Sequence, residues 1–171
     1  KLLKSDYHEV RLYALQLLVF RFSKPSSDEQ DEIYYLYLRN IQYVNNWDLV
    51  DSSAQHIIGA YLENRDRTVL YDLSKSDSLW ERRIAIMSTF YFIKKHQFSD
   101  TLHISEQLIS DQEGLIHKAV GWMLREVGKR NLATEVTFLK VHYQKMPRTM
   151  LRYAIEKFSE VERQKYLSGE V

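Results

Sequence analysis

The sequence predicts an all-α fold, a curved α-solenoid of antiparallel helix pairs. Three observations predict it. Apolar residues recur at spacings of three and four along the chain, and nothing alternates at period two for long. Gly numbers 5 and Pro only 2, too few turn-formers for a many-stranded β fold but enough for helices joined by short connections. Helix-start signals followed by apolar helices of similar length recur throughout. This recurrence favours stacked helix pairs over a closed bundle, although no sequence repeat aligns by eye. Such stacks curve, and their concave side is a groove for an extended partner.

Each element has its own signal. Asp6 with Glu9 resembles a capping arrangement, followed by a strongly apolar helix from Val10 to Phe22 that is expected to be buried. Pro25-Ser26-Ser27 breaks it, and Ser26 to Glu29 opens a second helix carrying Ile33, Tyr34, Tyr37, Leu38, Ile41 and Val44. Asn45-Asn46 stops that helix. A third runs from Trp47 to about Leu62. A short helix covers Arg67 to Ser74, and Ser78-Leu79-Trp80-Glu81 is a capping box for a helix reaching about Lys95. Ser99 or Asp100 caps the next, Leu115 to Lys129 is amphipathic, and Leu132 to Met146 follows. Pro147 then takes a first-turn position in a helix through Phe158. About eight to ten helices result.

Composition narrows the class. The 171 residues, 44% hydrophobic and 27% charged, can bury one sizeable core, so one helical-repeat domain over 1–171 is the expectation. The chain opens on Lys1 in mid-pattern, and an N-terminal part of the natural protein is expected to be missing. A net charge of +1 does not advertise nucleic-acid binding, yet phosphate binding needs only a local basic stripe. Cysteine is absent, which removes disulfides, thiolate metal sites and Cys nucleophiles and fits a reducing interior. No run approaches the 18 or so apolar residues of a membrane span. The six histidines show no metal-ligand spacing, and no Gly-rich phosphate loop or GxSxG elbow occurs, so neither metal nor cofactor is expected.

Polar and aromatic residues set against the apolar pattern mark candidate sites. In Asn46-Trp47-Asp48-Leu49-Val50-Asp51, residues four apart share a helix face, so Trp47 and Asp51 stand together while Asp48 points elsewhere. An apolar plate beside an anion suits a cationic, flat or sugar-like ligand. The bland alternative is an indole filling a core gap and aspartates capping a helix. Arg83 lies on the Leu79, Ile86 and Phe90 side of its helix. There it needs an anion, whether Asp51, Asp48 or a bound phosphate, and a structural ion pair is an equal alternative. Lys118, Trp122 and Arg125 fall four and three apart and give a basic, aromatic, basic face. A nucleic-acid groove requires that order, and an ordinary solvated helix also shows it. Gly121 would let a neighbouring helix or a ligand approach closely. Arg148 and Arg152 could extend the basic stripe.

Together these stretches resemble the AlkD-type DNA alkylation repair family, helical-repeat proteins related in architecture to HEAT repeats. Asn46-Trp47-Asp48-Leu49-Val50-Asp51 is similar to its tryptophan-aspartate motif, Leu79-Trp80-Glu81-Arg82-Arg83 to its Trp-x-Arg-Arg segment, and Lys118-Ala119-Val120-Gly121-Trp122-Met123-Leu124-Arg125-Glu126 to its Gly-Trp-x-Leu-Arg segment. Pro147-Arg148-Thr149-Met150-Leu151-Arg152-Tyr153-Ala154 resembles its penultimate helix. Four ordered motifs covering nearly the whole chain are more specific than any one.

The resemblance implies a monofunctional DNA glycosylase that excises cationic alkylated purines, 3-methyladenine and 7-methylguanine, from duplex DNA in base excision repair. It implies a monomer in a bacterial-type cytoplasm, used at the nucleoid. Asp51 matches the catalytic carboxylate, Trp47 and Trp122 the indoles against the lesion nucleotide, and Arg83 the arginine beside them. Lys118, Arg125, Arg148 and Arg152 are the expected phosphate ligands. The chemistry agrees: an alkylated base carries positive charge and departs neutral, so one carboxylate near the oxocarbenium-like sugar suffices. The rival reading is a helical-repeat scaffold that binds DNA or protein without catalysis. Asp51 discriminates between them, since an acid in a DNA groove repels phosphates and serves no scaffold.

Overall fold

A computed structural model of the protein describes residues 1–24 and 27–171. Pro25 and Ser26, where the sequence places the first break and the next helix start, lie outside the described residues. About 72% of the chain is helical, and no strand occurs among the described residues. The α-helices are α1 (His8–Phe22), α2 (Ser27–Arg39), α3 (Trp47–Asp51), α4 (Thr68–Leu73), α5 (Leu79–Ser88), α6 (Phe90–Lys94), α7 (Ser99–Gln107), α8 (Gly114–Gly128), α9 (Leu132–His142), α10 (Arg148–Ala154) and α11 (Glu160–Ser168). Among the described residues that is eleven, one more than the expected upper bound. Short 3₁₀ turns cover Leu2–Lys4, Ile41–Tyr43 and Ile155–Lys157, and a π-helical turn covers Gln55–Gly59.

The chain forms two compact units, Lys1–Phe92 and Ile93–Val171. In the first unit α1 packs on α2 and α3, and α5 packs on α3 and α4. Leu15, Tyr37, Leu49, Val50, Ile57, Ile58, Leu70, Ile84 and Ile86 are wholly buried there. Each such aliphatic side chain contributes about 1.5–3 kcal/mol relative to exposure. The π-helical turn lies so close to α5 and α6 that a Cβ on Gly59 would sit 2.8 Å from the Cβ of Tyr91. Only a glycine fits there.

In the second unit α8 is central, with α7, α9 and α10 packed on it and Ile116, Ala119, Val120, Met123, Leu124 and Val127 buried. Its contact with α10 passes over Gly121, where an added Cβ would lie 2.5 Å from the Cβ of Tyr153. Of the two neighbours expected at Gly121, the structure supplies a helix.

Several expectations are corrected. Helix α1 is not wholly buried: Ala14, Leu15 and Phe22 face inward, while Tyr13 and Phe20 are exposed, because its partners cover only one stripe. Its N-cap is Tyr7, without a capping box from Asp6, and the Ser5 hydroxyl accepts the Tyr7 N–H instead. The helix expected over 47–62 breaks after Asp51. The Ser52 hydroxyl donates to the Asp48 carbonyl and Ser53 to the Leu49 carbonyl, both at 2.6 Å, and such back-bonding bends helices. The chain then continues through the π-helical turn.

The helix expected to reach Lys95 breaks at Thr89 for a similar reason. Ser88 donates to the Ile84 carbonyl and Thr89 to the Ile86 carbonyl, both at 2.7 Å. Ser78 and Phe98 occupy the N-cap positions of α5 and α7 without side-chain cap bonds. Helix α9 ends at His142 and not Met146. Pro147 is the N-cap of α10 rather than a first-turn residue, and α10 gives way to a 3₁₀ turn after Ala154. Helix α11 was not expected, although its signal is in the sequence: Ser159 and Glu162 form a reciprocal capping box, and Gly169 closes the helix at φ 86°. No helix among the described residues is long and apolar enough to cross a membrane.

Candidate functional site

The first unit builds a carboxylate centre on α3. Asn46, in extended conformation, caps the helix and accepts the Trp47 N–H at 2.7 Å. Leu49 and Val50 are wholly buried and fix the helix to the core, which turns Trp47 and Asp51 the other way. Trp47, in the first turn, is 55% exposed, so it is not filling a core gap. Asp51 stands one turn further along.

Arg83 comes from α5 as a two-pronged clamp. Its Nε donates to Asp51 Oδ1 at 2.9 Å and its Nη2 to Oδ2 at 2.7 Å. Asp51 is one of the three anions the sequence offered Arg83. The Arg83 side chain is 6% exposed and that of Asp51 16%, so the pair is largely withdrawn from water while the carboxylate keeps an edge at the surface. Burial pushes the Asp51 carboxyl above its ordinary pKa. The hydrogen bonds and charge of Arg83 oppose that rise without cancelling it, and the charge of Asp48 adds to it. Both Asp51 oxygens keep lone pairs after accepting from Arg83. The arrangement can therefore hold a carboxylate in one fixed position, present it beside an indole, and accept a further proton or a cation's field.

Two neighbours of this centre had no sequence signal. His8, forty residues away in α1, places Nε2 2.7 Å from Asp48 Oδ2. The buried Tyr37 hydroxyl pairs with the Ser53 hydroxyl at 3.0 Å, just past Asp51. The Ser52-Ser53 dipeptide, mid-helix in the sequence pattern, could have warned of the break that ends α3 at Asp51.

The other expected site residues belong to the second unit. On α8, Lys118 is exposed and Trp122 half-buried. The Arg125 side chain, only 16% exposed, forms an ion pair with Glu156. Arg148 and Arg152 stand exposed on α10, and Arg148 Nη1 donates to the Leu167 carbonyl at 2.7 Å. Thus Trp47, Asp51 and Arg83 are brought together within one unit, and Lys118, Trp122, Arg125, Arg148 and Arg152 lie on two helices of the other that pack at Gly121. No group of three or more potential metal ligands occurs among the described residues.

An all-helical chain with an arginine-clamped carboxylate beside an exposed indole defines a helical protein with a single-acid centre. The chain belongs to the DNA alkylation repair enzyme family, whose sequence profile matches residues 1–158. A search of curated proteins found no match. Membership makes this a protein of DNA alkylation repair, with DNA as its substrate.

Proposed function

We propose that the protein is a monofunctional glycosylase that hydrolyses the N-glycosidic bond of cationic alkylated purines, 3-methyladenine and 7-methylguanine, in duplex DNA. The observation that carries this reading is the Asp51 carboxylate, clamped by a buried Arg83 one turn from the exposed Trp47. When the glycosidic bond of such a nucleotide breaks, its electron pair goes to the base, which leaves neutral and needs no general acid. Positive charge then grows on the sugar, and a fixed anion in a poorly solvated position stabilises it. A water oxygen adds to the sugar carbon, and its proton passes to Asp51 or to solvent. A carboxyl held above its ordinary pKa is the better base for that step.

The indole of Trp47 favours a cationic over a neutral nucleotide by about 0.5–2 kcal/mol. Selection then rests on charge, without a deep base-flipping pocket. The role of Trp122 rests on the sequence resemblance, and those of Lys118, Arg125, Arg148 and Arg152 as phosphate ligands on charge and spacing. Action as a monomer in a bacterial-type cytoplasm, at the nucleoid, belongs to the same reading on the resemblance alone.

The test is base release from duplexes carrying 7-methylguanine. Asp51→Asn is expected to bind such a duplex yet release base at least about 100-fold more slowly, a loss of about 2.7 kcal/mol in transition-state stabilisation. Release at the parent rate would defeat the Asp51 mechanism, whereas no release by the parent itself would leave the scaffold reading.

A further inference from the structure

Helix α1 grips the start of α3 with two side chains. Arg11 Nη1 donates to the carbonyls of Ser5 at 2.8 Å and Asp6 at 3.2 Å, and its Nη2 donates to Asn45 Oδ1 at 3.2 Å. His8 Nε2 meets Asp48 Oδ2 at 2.7 Å, while Asp48 Oδ1 accepts the Leu49 N–H at 2.8 Å. An ionised carboxylate only accepts, so the hydrogen of that first contact belongs to Nε2.

Two carboxylates thus stand three residues apart on a five-residue helix, and each has its own partner from a different helix. Arg83 of α5 takes Asp51, and His8 of α1 takes Asp48. Like charges this close oppose each other's ionisation. Among the described residues, the charged and titratable groups that act on or face Asp51 include Arg83 from α5, Asp48 from α3 itself and the Tyr37 hydroxyl from α2, with His8 of α1 behind Asp48.

We propose that His8 is a positioning residue for Asp51: by holding Asp48 through Nε2 it turns the second carboxylate aside and engages its charge, leaving Asp51 as the acid that acts. The proposal rests on the glycosylase reading for its consequence but not for its test. Nothing in the spacing of His8 and Asp48 along the chain announces it. Asp48 adds to the upward displacement of the Asp51 carboxyl, so loosening the hold of His8 exposes Asp51 to more of that charge.

The experiment is a ¹³C-carboxyl NMR titration of Asp51 in the full chain, run beside the pH profile of base release. Asp48→Asn is expected to lower the Asp51 midpoint, and with it the acid limb of base release, by roughly 0.3 in pH. His8→Ala is expected to raise both by a similar amount. His8→Gln, which keeps a donor where Nε2 was, returns them toward the parent and separates the effect of the hydrogen bond from that of packing. The double variant His8→Ala/Asp48→Asn should titrate like Asp48→Asn alone, because His8 acts through Asp48. A midpoint unmoved by His8→Ala, or moved equally with Asn at position 48, overturns the proposal. Absence of base release by the parent overturns the glycosylase reading instead, and the NMR titration still decides the role of His8.

Discussion

Arginine rather than lysine at position 83 matters because its planar fork meets both oxygens of Asp51 and fixes the plane of the carboxylate as well as its distance. A second buried acid has no such partner. Glu135 of α9 lies with its carboxyl over Gly128, its Cδ 2.6 Å from where a Cβ would stand, and its Oε1 has no hydrogen-bond partner among the described residues. Burial raises its pKa from 4.5 to about 8, with Arg125 opposing. Between those values the folded chain holds a proton that the unfolded chain has released, so stability falls as pH rises and levels off above 8. Urea denaturation from pH 5 to 9 is expected to show the parent losing up to about 1.4 kcal/mol per pH unit relative to Glu135→Gln. Parallel curves would show that Glu135 is ionised in the fold. The shared face of Trp47 and Asp51 and the need of Arg83 for an anion are legible in the sequence, because one follows from a spacing of four and the other from a cation on an apolar side. His8 and Glu135 are not: the partner of His8 and the burial of Glu135 are set by chain segments that local spacing does not reach.

Among the helices, the glycine where α8 crosses α10 sets how closely those two approach. A Cβ at Gly121 would meet the Met150 carbonyl and the Tyr153 Cβ, atoms on a helix backbone that cannot step aside singly. Gly121→Ala is expected to destabilise the protein by about 1–3 kcal/mol despite the better helix propensity of alanine. Gly114→Ala, where nothing lies within 4 Å, should be neutral or slightly stabilising. Chemical denaturation of the two variants side by side checks the contrast, and equal stabilities would mean that α10 can retreat freely. Element type was legible from periodicity, whereas element length was not. Serine and threonine at 52, 53, 88 and 89 leave the apolar spacing intact, so the signal lies in residue type alone: their hydroxyls bond backbone carbonyls where two expected helices are cut short.

At the scale of the whole molecule a net charge of +1 leaves DNA affinity to a local arrangement of cations. Lys118, Arg148 and Arg152 are exposed, whereas Arg125 is engaged with Glu156. Replacing the three exposed cations by glutamine is expected to weaken duplex binding regardless of sequence. It should flatten the dependence of log K on log salt by about 0.9 for each phosphate that is no longer neutralised. Fluorescence anisotropy across a salt series measures this, and an unchanged slope would remove those residues from the DNA-binding surface. The sequence by itself determined the all-helical class, the order of most helices, the motifs of the repair family and the Trp47/Asp51 face, because these depend on local periodicity and short spacings. Only the tertiary structure decided which anion Arg83 takes, that His8 holds Asp48, and that Trp47 stays in solvent. Those are outcomes of packing between helices, where residues 32 and 40 positions apart meet within 3 Å.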